Sequence, residues 1–246
     1  MVSKKLIYNF SFLTWVLILS GCSSPAPLLL RSVDLMSPLV SDSPLSGQAG
    51  GVLNVTPTEI DLYSSEMTPQ PTGKVSLREN GYFYSTGFLD LGLTVLPRFE
   101  IYSLDQGFGG KWQFLSSEMG QGYIAAIKYG TLKVNYHSYG SNAGISYDVK
   151  GSEAGVSLGY QFEKFIPYAS YVSRTYNVLS STSRGSRDDS GKHQTQAIGI
   201  VFSAPPNPES KIKFNYTFEI TRTTCNWLLG EETIQYNLGG LYGITW

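Results

Sequence analysis

Two histidines, His137 and His193, carry the only imidazole groups in the 246 residues. Any histidine-based acid–base mechanism must therefore use one of them. His193 follows the acidic pair Asp188 and Asp189 at the end of a polar segment, 179–193, which reads LSSTSRGSRDDSGKH. The segment is charged and rich in glycine and serine, which predicts a long exposed loop, and we interpret His193 as a solvated loop residue.

The stretch around His137 offers a second set of reactive side chains. Residues 137–153 read HSYGSNAGISYDVKGSE and place Ser141 and Glu153 downstream of the histidine. This stretch resembles the His-x-Ser-Asn-Ala…Glu pattern of outer-membrane lipid A deacylases. The resemblance implies that Ser141 is the nucleophile, His137 its base, and Glu153 the acid that orients the base.

The chain departs from the deacylase pattern at the histidine. The family has this residue two positions before the serine, whereas here the separation is four (141 − 137 = 4) and Tyr139 stands in the family's histidine place. Ser-Asn-Ala-Gly is also an ordinary turn sequence between strands. Omptin-type barrel proteases combine an acidic pair with a histidine at their outer rim, but the residues around His193 do not resemble that family. We expect no catalysis, with a lipid-modifying hydrolase as the alternative.

The N-terminal residues carry a different reactive group, the thiol of Cys22. Residues 1–21 contain a basic Lys4-Lys5 pair and an apolar segment of signal-peptide length, and they end on Leu-Ser-Gly directly before Cys22. Leu-Ser-Gly-Cys resembles the lipobox of bacterial lipoproteins. The resemblance implies cleavage before Cys22, acylation of its thiol by chains such as palmitate and, with Ser23 following, transfer to the outer membrane. The alternative is an ordinary secretory leader with a chance cysteine.

Lipidation of Cys22 has consequences for the rest of the chain. Because the acylated sulfur cannot form a disulfide, Cys225 becomes a lone, inert thiol in a predicted loop, 223–232. Two or more acyl chains anchor a protein stably, so we expect Cys22 to hold the protein to the inner leaflet of the outer membrane. Residues 22–48 are rich in proline and serine, which predicts a flexible tether. Its apolar run Leu28-Leu29-Leu30 is interpreted as a sticky linker, or as a piece that lies on the membrane or plugs a barrel mouth.

The amino-acid composition argues against several classes of protein. Charged residues make up 15% and aromatic residues 13% of the chain, whereas soluble domains carry about 25% charged residues. The formal net charge of −1 provides no basic excess for nucleic acid. No apolar run of about 18 residues follows the leader, so no membrane-spanning helix is predicted. The sequence contains no phosphate-binding loop, dinucleotide fingerprint or metal-ligand cluster, and we expect no cofactor and no metal.

Period-two alternation is the strongest structural signal. Residues 233–246, TIQYNLGGLYGITW, alternate apolar or aromatic with small or polar side chains and end on Trp246. Segments 152–162 and 212–220 alternate in the same way, as strands do when their two faces meet different surroundings. The terminal aromatic residue resembles the C-terminal assembly signal of bacterial outer-membrane barrels. That resemblance implies the barrel-assembly machinery and outer-membrane lipids, including lipopolysaccharide, as partners.

The alternation predicts an all-β fold, a transmembrane antiparallel β-barrel over residues 49–246, preceded by the leader and the tether. We count ten strands, or eight if the weak early ones fail, because bacterial single-chain barrels favour even numbers. The alternative is a water-soluble, lipocalin-like barrel, which requires the apolar faces inside and the charged faces outside.

Energetics decide which face of the barrel is polar. A cation on the lipid side costs about 2–4 kcal/mol at the bilayer midplane. We therefore place inside the barrel a set of four acids and four bases that can pair: Asp90, Glu100, Lys111, Lys128, Glu153, Lys211, Lys213 and Glu219. Side chains just fill an eight-stranded barrel, so we expect a paired polar core without a wide pore. The expected role is structural, surface interaction or a narrow channel.

Overall fold

The computed structural model describes residues 28–30, 33–54, 58–60, 86–104, 107–116, 121–138, 145–182, 185–203, 213–228 and 232–246. Cys22, Ser141 and Lys211 lie outside these ranges. No helix within the ranges is long and apolar enough to cross a membrane.

The described residues form two β-sheets. In chain order the strands are β1 (Leu28–Leu30), β2 (Gly47–Asn54), β3 (Thr58–Ile60), β4 (Thr86–Leu96), β5 (Phe99–Leu104), β6 (Gly107–Leu115), β7 (Gly122–Ser138), β8 (Ile145–Gln161), β9 (Phe165–Thr182), β10 (Gly185–Ser203), β11 (Lys213–Trp227) and β12 (Thr233–Thr245). β1 and β3 pair in a small antiparallel sheet. The other ten strands form one closed antiparallel barrel, which confirms the ten-strand prediction.

The barrel closes where its first wall strand meets its last. β12 pairs with β2 from Gly239 opposite Asn54 to Thr245 opposite Gln48. Beyond that ladder, the Trp246 amide donates a hydrogen bond to the carbonyl oxygen of Gly47 at 3.1 Å, and the Gly47 amide returns one at 3.2 Å. Among the described residues, closure leaves the ten-stranded sheet without an edge strand.

The two rims of the barrel can be told apart by the strand ends. The Trp246 rim contains Gly47, Trp246 and the connections 97–98 and 162–164. The opposite rim contains the ends of β2 and β5 at Asn54 and Leu104. The wall is uneven in height, because β7 to β10 have 17 to 19 residues whereas β2 has 8 and β5 has 6.

The predicted long loop 179–193 is wrong. β9 continues to Thr182 and β10 starts at Gly185, with Asp188 opposite Leu179 in the ladder. The segment was predicted as a loop because it is polar throughout. Strands that extend above the apolar part of the barrel wall have polar side chains on both faces, so they show no alternation. The predicted loop 223–232 is also shorter than expected, since β11 extends to Trp227.

The outward face of the barrel is apolar and aromatic. Exposed leucine, isoleucine, valine and aromatic side chains follow one parity along the wall strands, including Leu89, Leu91, Trp112, Phe114, Ile127, Leu158, Phe202, Phe218, Ile220, Leu238 and Tyr242. Near the Trp246 rim neighbouring rings touch: the centroids of Phe162 and Phe165 are 4.6 Å apart, and those of Tyr216 and Tyr242 are 5.2 Å apart. The rings thus form an aromatic girdle.

The inward face carries the charges. Of the eight charged residues predicted to face inside, Glu100, Lys111, Lys128, Glu153 and Glu219 are buried within the barrel, which confirms the prediction for these five. Asp90 is half-buried. Lys213 starts β11, but its side chain, like Lys211, is outside the described part of the chain.

Candidate functional site in the barrel lumen

Residues 33–46, the lumenal segment, run through the inside of the barrel. Val33, Asp34, Met36 and Val40 are all at most 4% exposed. The described part of the predicted flexible tether is therefore packed against the wall, and the wall itself begins at Gly47. The physical reason is space: side chains just fill an eight-stranded barrel, so ten strands leave room for an extended chain.

Two inward glycines provide part of that room. A Cβ atom at Gly239 would lie 2.7 Å from a methyl carbon of Val33, and one at Gly155 would lie 3.0 Å from the sulfur of Met36. A side chain at Gly239 would collide with Val33, and one at Gly155 would require Met36 to shift, so the absence of a Cβ lets the segment approach the wall closely.

Asp34 of the lumenal segment forms the centre of an ionic cluster. Its Oδ1 atom lies 2.7 Å from Nη2 of Arg174 on β9, and it also accepts a hydrogen bond from Nζ of Lys128 on β7. All three side chains are almost completely buried. A buried carboxylate needs such partners, because desolvation without them costs several kcal/mol.

Glu153 completes the wall side of this cluster. Its Oε2 accepts hydrogen bonds from Lys128 Nζ and Arg174 Nε, both at 3.2 Å, and its Oε1 accepts one from the Tyr102 hydroxyl at 2.8 Å. Arg174 Nη1 also donates to Thr195 at 3.2 Å. The two bases therefore bridge one acid on the wall and one acid on the lumenal segment.

Glu219 on β11 holds the backbone of the lumenal segment rather than a side chain. Its Oε1 accepts the amide N–H groups of Asp34 and Leu35 at 2.8 and 3.0 Å. Its Oε2 accepts a hydrogen bond from the Tyr168 hydroxyl at 3.0 Å. The two amides are thus satisfied by a charged acceptor, which makes stronger hydrogen bonds than a neutral one.

The second half of the segment is fastened close to the Trp246 rim. The amide of Val40 donates to the side-chain oxygen of Gln113 at 2.7 Å. The Arg98 amide donates to the carbonyl oxygen of Ser41 at 3.0 Å, and its guanidinium pairs with exposed Asp42 at 2.8 Å. Main-chain and side-chain contacts therefore hold the segment along its length.

This arrangement can bind an extended peptide and close the lumen. The acids and bases of the cluster are occupied by one another or by the segment. Within the described residues there is no group of three or more histidine, cysteine, aspartate or glutamate side chains that could hold a metal ion. The chemistry of the lumen is recognition of the protein's own chain.

The structure does not bring His137 and Glu153 together. His137 pairs with Ser146, whereas Glu153 pairs with Gly130. His137 and Gly130, the partner of Glu153, are seven residues apart along β7 (137 − 130 = 7). At 3.3 Å per residue this separation is about 23 Å. Glu153 is therefore too far away to orient His137, and it is instead used in the ionic cluster. Ser141 and the His137 side chain lie outside the described part of the chain.

The interpretation of His193 as a solvated residue is wrong. His193 is buried in β10, where its ring contacts that of Tyr176 with centroids 4.8 Å apart. Strand alternation splits the acidic pair, because Asp188 is exposed and Asp189 is buried. Cys225, predicted in a loop, is buried in β11 opposite His193.

Sequence reasoning missed Arg174 and Asp34. Residues 165–178 do not alternate clearly between polar and apolar side chains. The reason is that the inward-facing side chains of β9 include Arg174 together with apolar residues such as Ile166, Val172 and Val178. Apolar side chains on an otherwise charged inner face indicate that another part of the protein lies inside the barrel and packs against them. Leu39 of the lumenal segment packs against the cluster that contains Ile166.

Comparison with known proteins adds little to this geometry. No family model matches the chain, and no curated protein matches it. Among solved structures, the crystal structure of the outer membrane protease OmpT from Escherichia coli is similar, with 10% identity, coverage of 86% of this chain and 97% of that chain, and a TM-score of 0.31. The fold described above rests on the strand pairing of this chain.

Proposed function

We propose that the protein is a lipid-anchored β-barrel of the bacterial outer membrane whose lumen is closed by its own N-terminal segment, with a non-catalytic, structural or surface-interaction role. The observation that carries this proposal is the polarity of the wall. Leucine and aromatic side chains face outward, while Glu100, Lys111 and Glu219 are enclosed. A water-soluble barrel would need the reverse.

The dimensions of the apolar belt fit a bilayer. On β12 the outward residues from Trp246 to Tyr236 span ten positions (246 − 236 = 10). Tyr236, Leu238, Tyr242 and Trp246 are exposed and Ile244 is half-buried. Ten residues rise about 33 Å along a strand. At the usual tilt of 35–45° this is about 25 Å along the barrel axis, the height of the apolar band in outer-membrane barrels. Soluble monomers rarely expose an apolar patch of such extent.

We also propose a lipid anchor on Cys22 and two partners, the outer-membrane lipids and the barrel-assembly machinery. The Leu-Ser-Gly-Cys sequence supports acylation of Cys22, and the outward face would contact lipopolysaccharide and other outer-membrane lipids. The last strand, which ends on Trp246, would engage the barrel-assembly machinery before it closes onto β2. The enclosed ionic cluster favours a sealed barrel over an open channel.

Behaviour in detergent tests the membrane location. The processed protein, extracted and purified in detergent, should be folded and monodisperse, and it should aggregate when the detergent is removed, because the apolar belt would then meet water. A processed form that stays folded and monodisperse in plain buffer would contradict the proposal.

A further inference from the structure

The lumenal segment has a defined direction. Val33 packs against Val52 and Leu104, which lie at the ends of β2 and β5 close to the opposite rim. Val40 is bonded to Gln113, and the amide of Leu45 donates to the carbonyl oxygen of Thr94 at 2.8 Å next to the Trp246 rim. The segment therefore runs from the opposite rim to the Trp246 rim, where the chain turns back into β2.

Leu28–Leu30, the described residues before Val33, are joined to the chain that leaves the far end of β2. β1 pairs with β3, with Leu28 opposite Ile60. β3 begins four residues after Asn54 (58 − 54 = 4), the last residue of β2. Since β2 runs away from the Trp246 rim, the chain enters β3 and its partner β1 from the end of β2 opposite that rim.

We propose that the N-terminal segment threads the closed barrel, so that the acyl chains on Cys22 enter the membrane leaflet on the side opposite Trp246. This inference rests on the proposed function, because it presupposes a membrane location and lipidation of Cys22. It specifies which leaflet receives the anchor. The partner is the lipid leaflet at the opposite rim.

Chain length prevents the anchor from reaching the other leaflet. Cys22 is six residues before Leu28 (28 − 22 = 6). Six fully extended residues span at most about 20–22 Å, which is less than the apolar band of about 25 Å. The lumen is not a return path, because Asp34 and its partners block it at their level. A lipid on Cys22 must therefore insert on the side where β1 lies.

Threading also determines when the barrel can close. The β12–β2 ladder surrounds the segment, and an end that carries acyl chains cannot be drawn through a lumen packed with buried charges. The segment must be in place before β12 pairs with β2. If the Trp246 rim faces the periplasm, as the short turns of bacterial barrels do, the anchor lies in the outer leaflet, in contrast to the inner leaflet expected from the lipobox.

Protease accessibility in cells tests this sidedness without assuming an orientation. A recognition site for a sequence-specific protease is inserted in three full-length variants: between Pro25 and Ala26, in the connection 139–144 at the opposite rim, and in the connection 204–212 at the Trp246 rim. Each variant is treated with protease in intact cells and after outer-membrane permeabilisation. In intact cells we expect the sites at 25–26 and 139–144 to be both cut or both protected, and the site at 204–212 to respond in the opposite way; permeabilisation exposes all three sites and serves as the control.

The outcomes separate the two proposals. If the site at 25–26 responds in intact cells like the site at 204–212 and unlike the site at 139–144, the threading is overturned. If all three sites respond alike in intact cells, the membrane-spanning barrel is overturned instead, and the leaflet assignment with it. The threading is then judged on purified protein through a Val33→Cys, Val52→Cys pair in a Cys225→Ala background, because the two valines pack in one buried cluster. This pair should form a disulfide, whereas Leu45→Cys with Val52→Cys should not, and no bond in the first pair would refute the threading.

Discussion

Asp34 and Arg174 form a buried ion pair in the middle of the barrel, with 2.7 Å between Oδ1 and Nη2. Asp34 belongs to the segment that runs through the lumen, and Arg174 belongs to the wall. The pair therefore joins the two parts of the protein where both charges are shielded from water. Lys128 and Glu153 surround it. The ion pair therefore holds the lumenal segment to the wall at this level.

Asp34→Ala should destabilise the protein strongly. It removes one of the two acids that neutralise Arg174 and Lys128, and loss of one partner from a buried pair costs about 3–5 kcal/mol. Asp42→Ala is the matched control, because the Asp42–Arg98 pair is exposed and such pairs contribute about 0–1 kcal/mol. Urea unfolding of both variants in detergent micelles measures the difference. Equal stability of the two variants would show that the cluster does not hold the segment.

The same substitution should open the lumen to ions. In planar bilayers the wild type should be silent, because the segment and the cluster close the lumen at the level of Asp34. Asp34→Ala should conduct, since its segment loses the contact with Arg174 and Lys128 while the charged wall stays. Asp42→Ala should be silent. Steady conductance by the wild type would mean that the segment does not seal the barrel.

Two adjacent glycines of β12 provide a test of the packing. A Cβ atom at Gly239 would meet Val33 at 2.7 Å, whereas at Gly240 the nearest atom is the carbonyl oxygen of Thr217 at 3.7 Å. Gly239→Ala should therefore destabilise the protein by about 1–3 kcal/mol through overpacking, and Gly240→Ala should be neutral within about 0.5 kcal/mol. Unfolding midpoints of the two variants give the comparison. A neutral Gly239→Ala would argue against Val33 lying on the wall at this position.

Lipidation should depend on Cys22 alone. In cells supplied with a clickable palmitate analogue, wild type and Cys225→Ala should be labelled equally, because Cys225 is buried in the barrel. Cys22→Ala should carry no label and should run at the size of an uncleaved or differently cleaved precursor. Label that persists in Cys22→Ala would exclude the proposed anchor.

Lipid A deacylation should be absent. The separation of about 23 Å between the levels of His137 and Glu153 leaves a serine nucleophile without the acid that the deacylase resemblance implies. Wild type and Ser141→Ala should therefore show the same background rate by mass spectrometry of extracted lipid A. A rate that is present in the wild type and lost in Ser141→Ala would restore the hydrolase.

The wall of the barrel could be predicted from the sequence because its determinants are local. Alternation with period two assigns each side chain to a face, and charges such as Glu219 beside Phe218 and Ile220 show which face avoids lipid. Except between β2 and β4, neighbouring antiparallel strands are joined by connections of two to nine residues, so strand order follows chain order. The extensions of β9 and β10 beyond the belt were missed because residues such as Asp188 and Ser186 have no apolar partner in the alternation.

The lumenal segment could not be predicted in the same way. Asp34 meets Lys128, Arg174 and Glu219, residues on three different strands more than ninety positions away. No local pattern in residues 33–46 predicts such contacts, and their proline and serine content is typical of a linker. The sequence alone determined a ten-stranded wall with an apolar outside and a charged inside. Only the tertiary structure decided what fills the inside, because the partners of a buried charge are chosen by the distance between side chains after the barrel has closed.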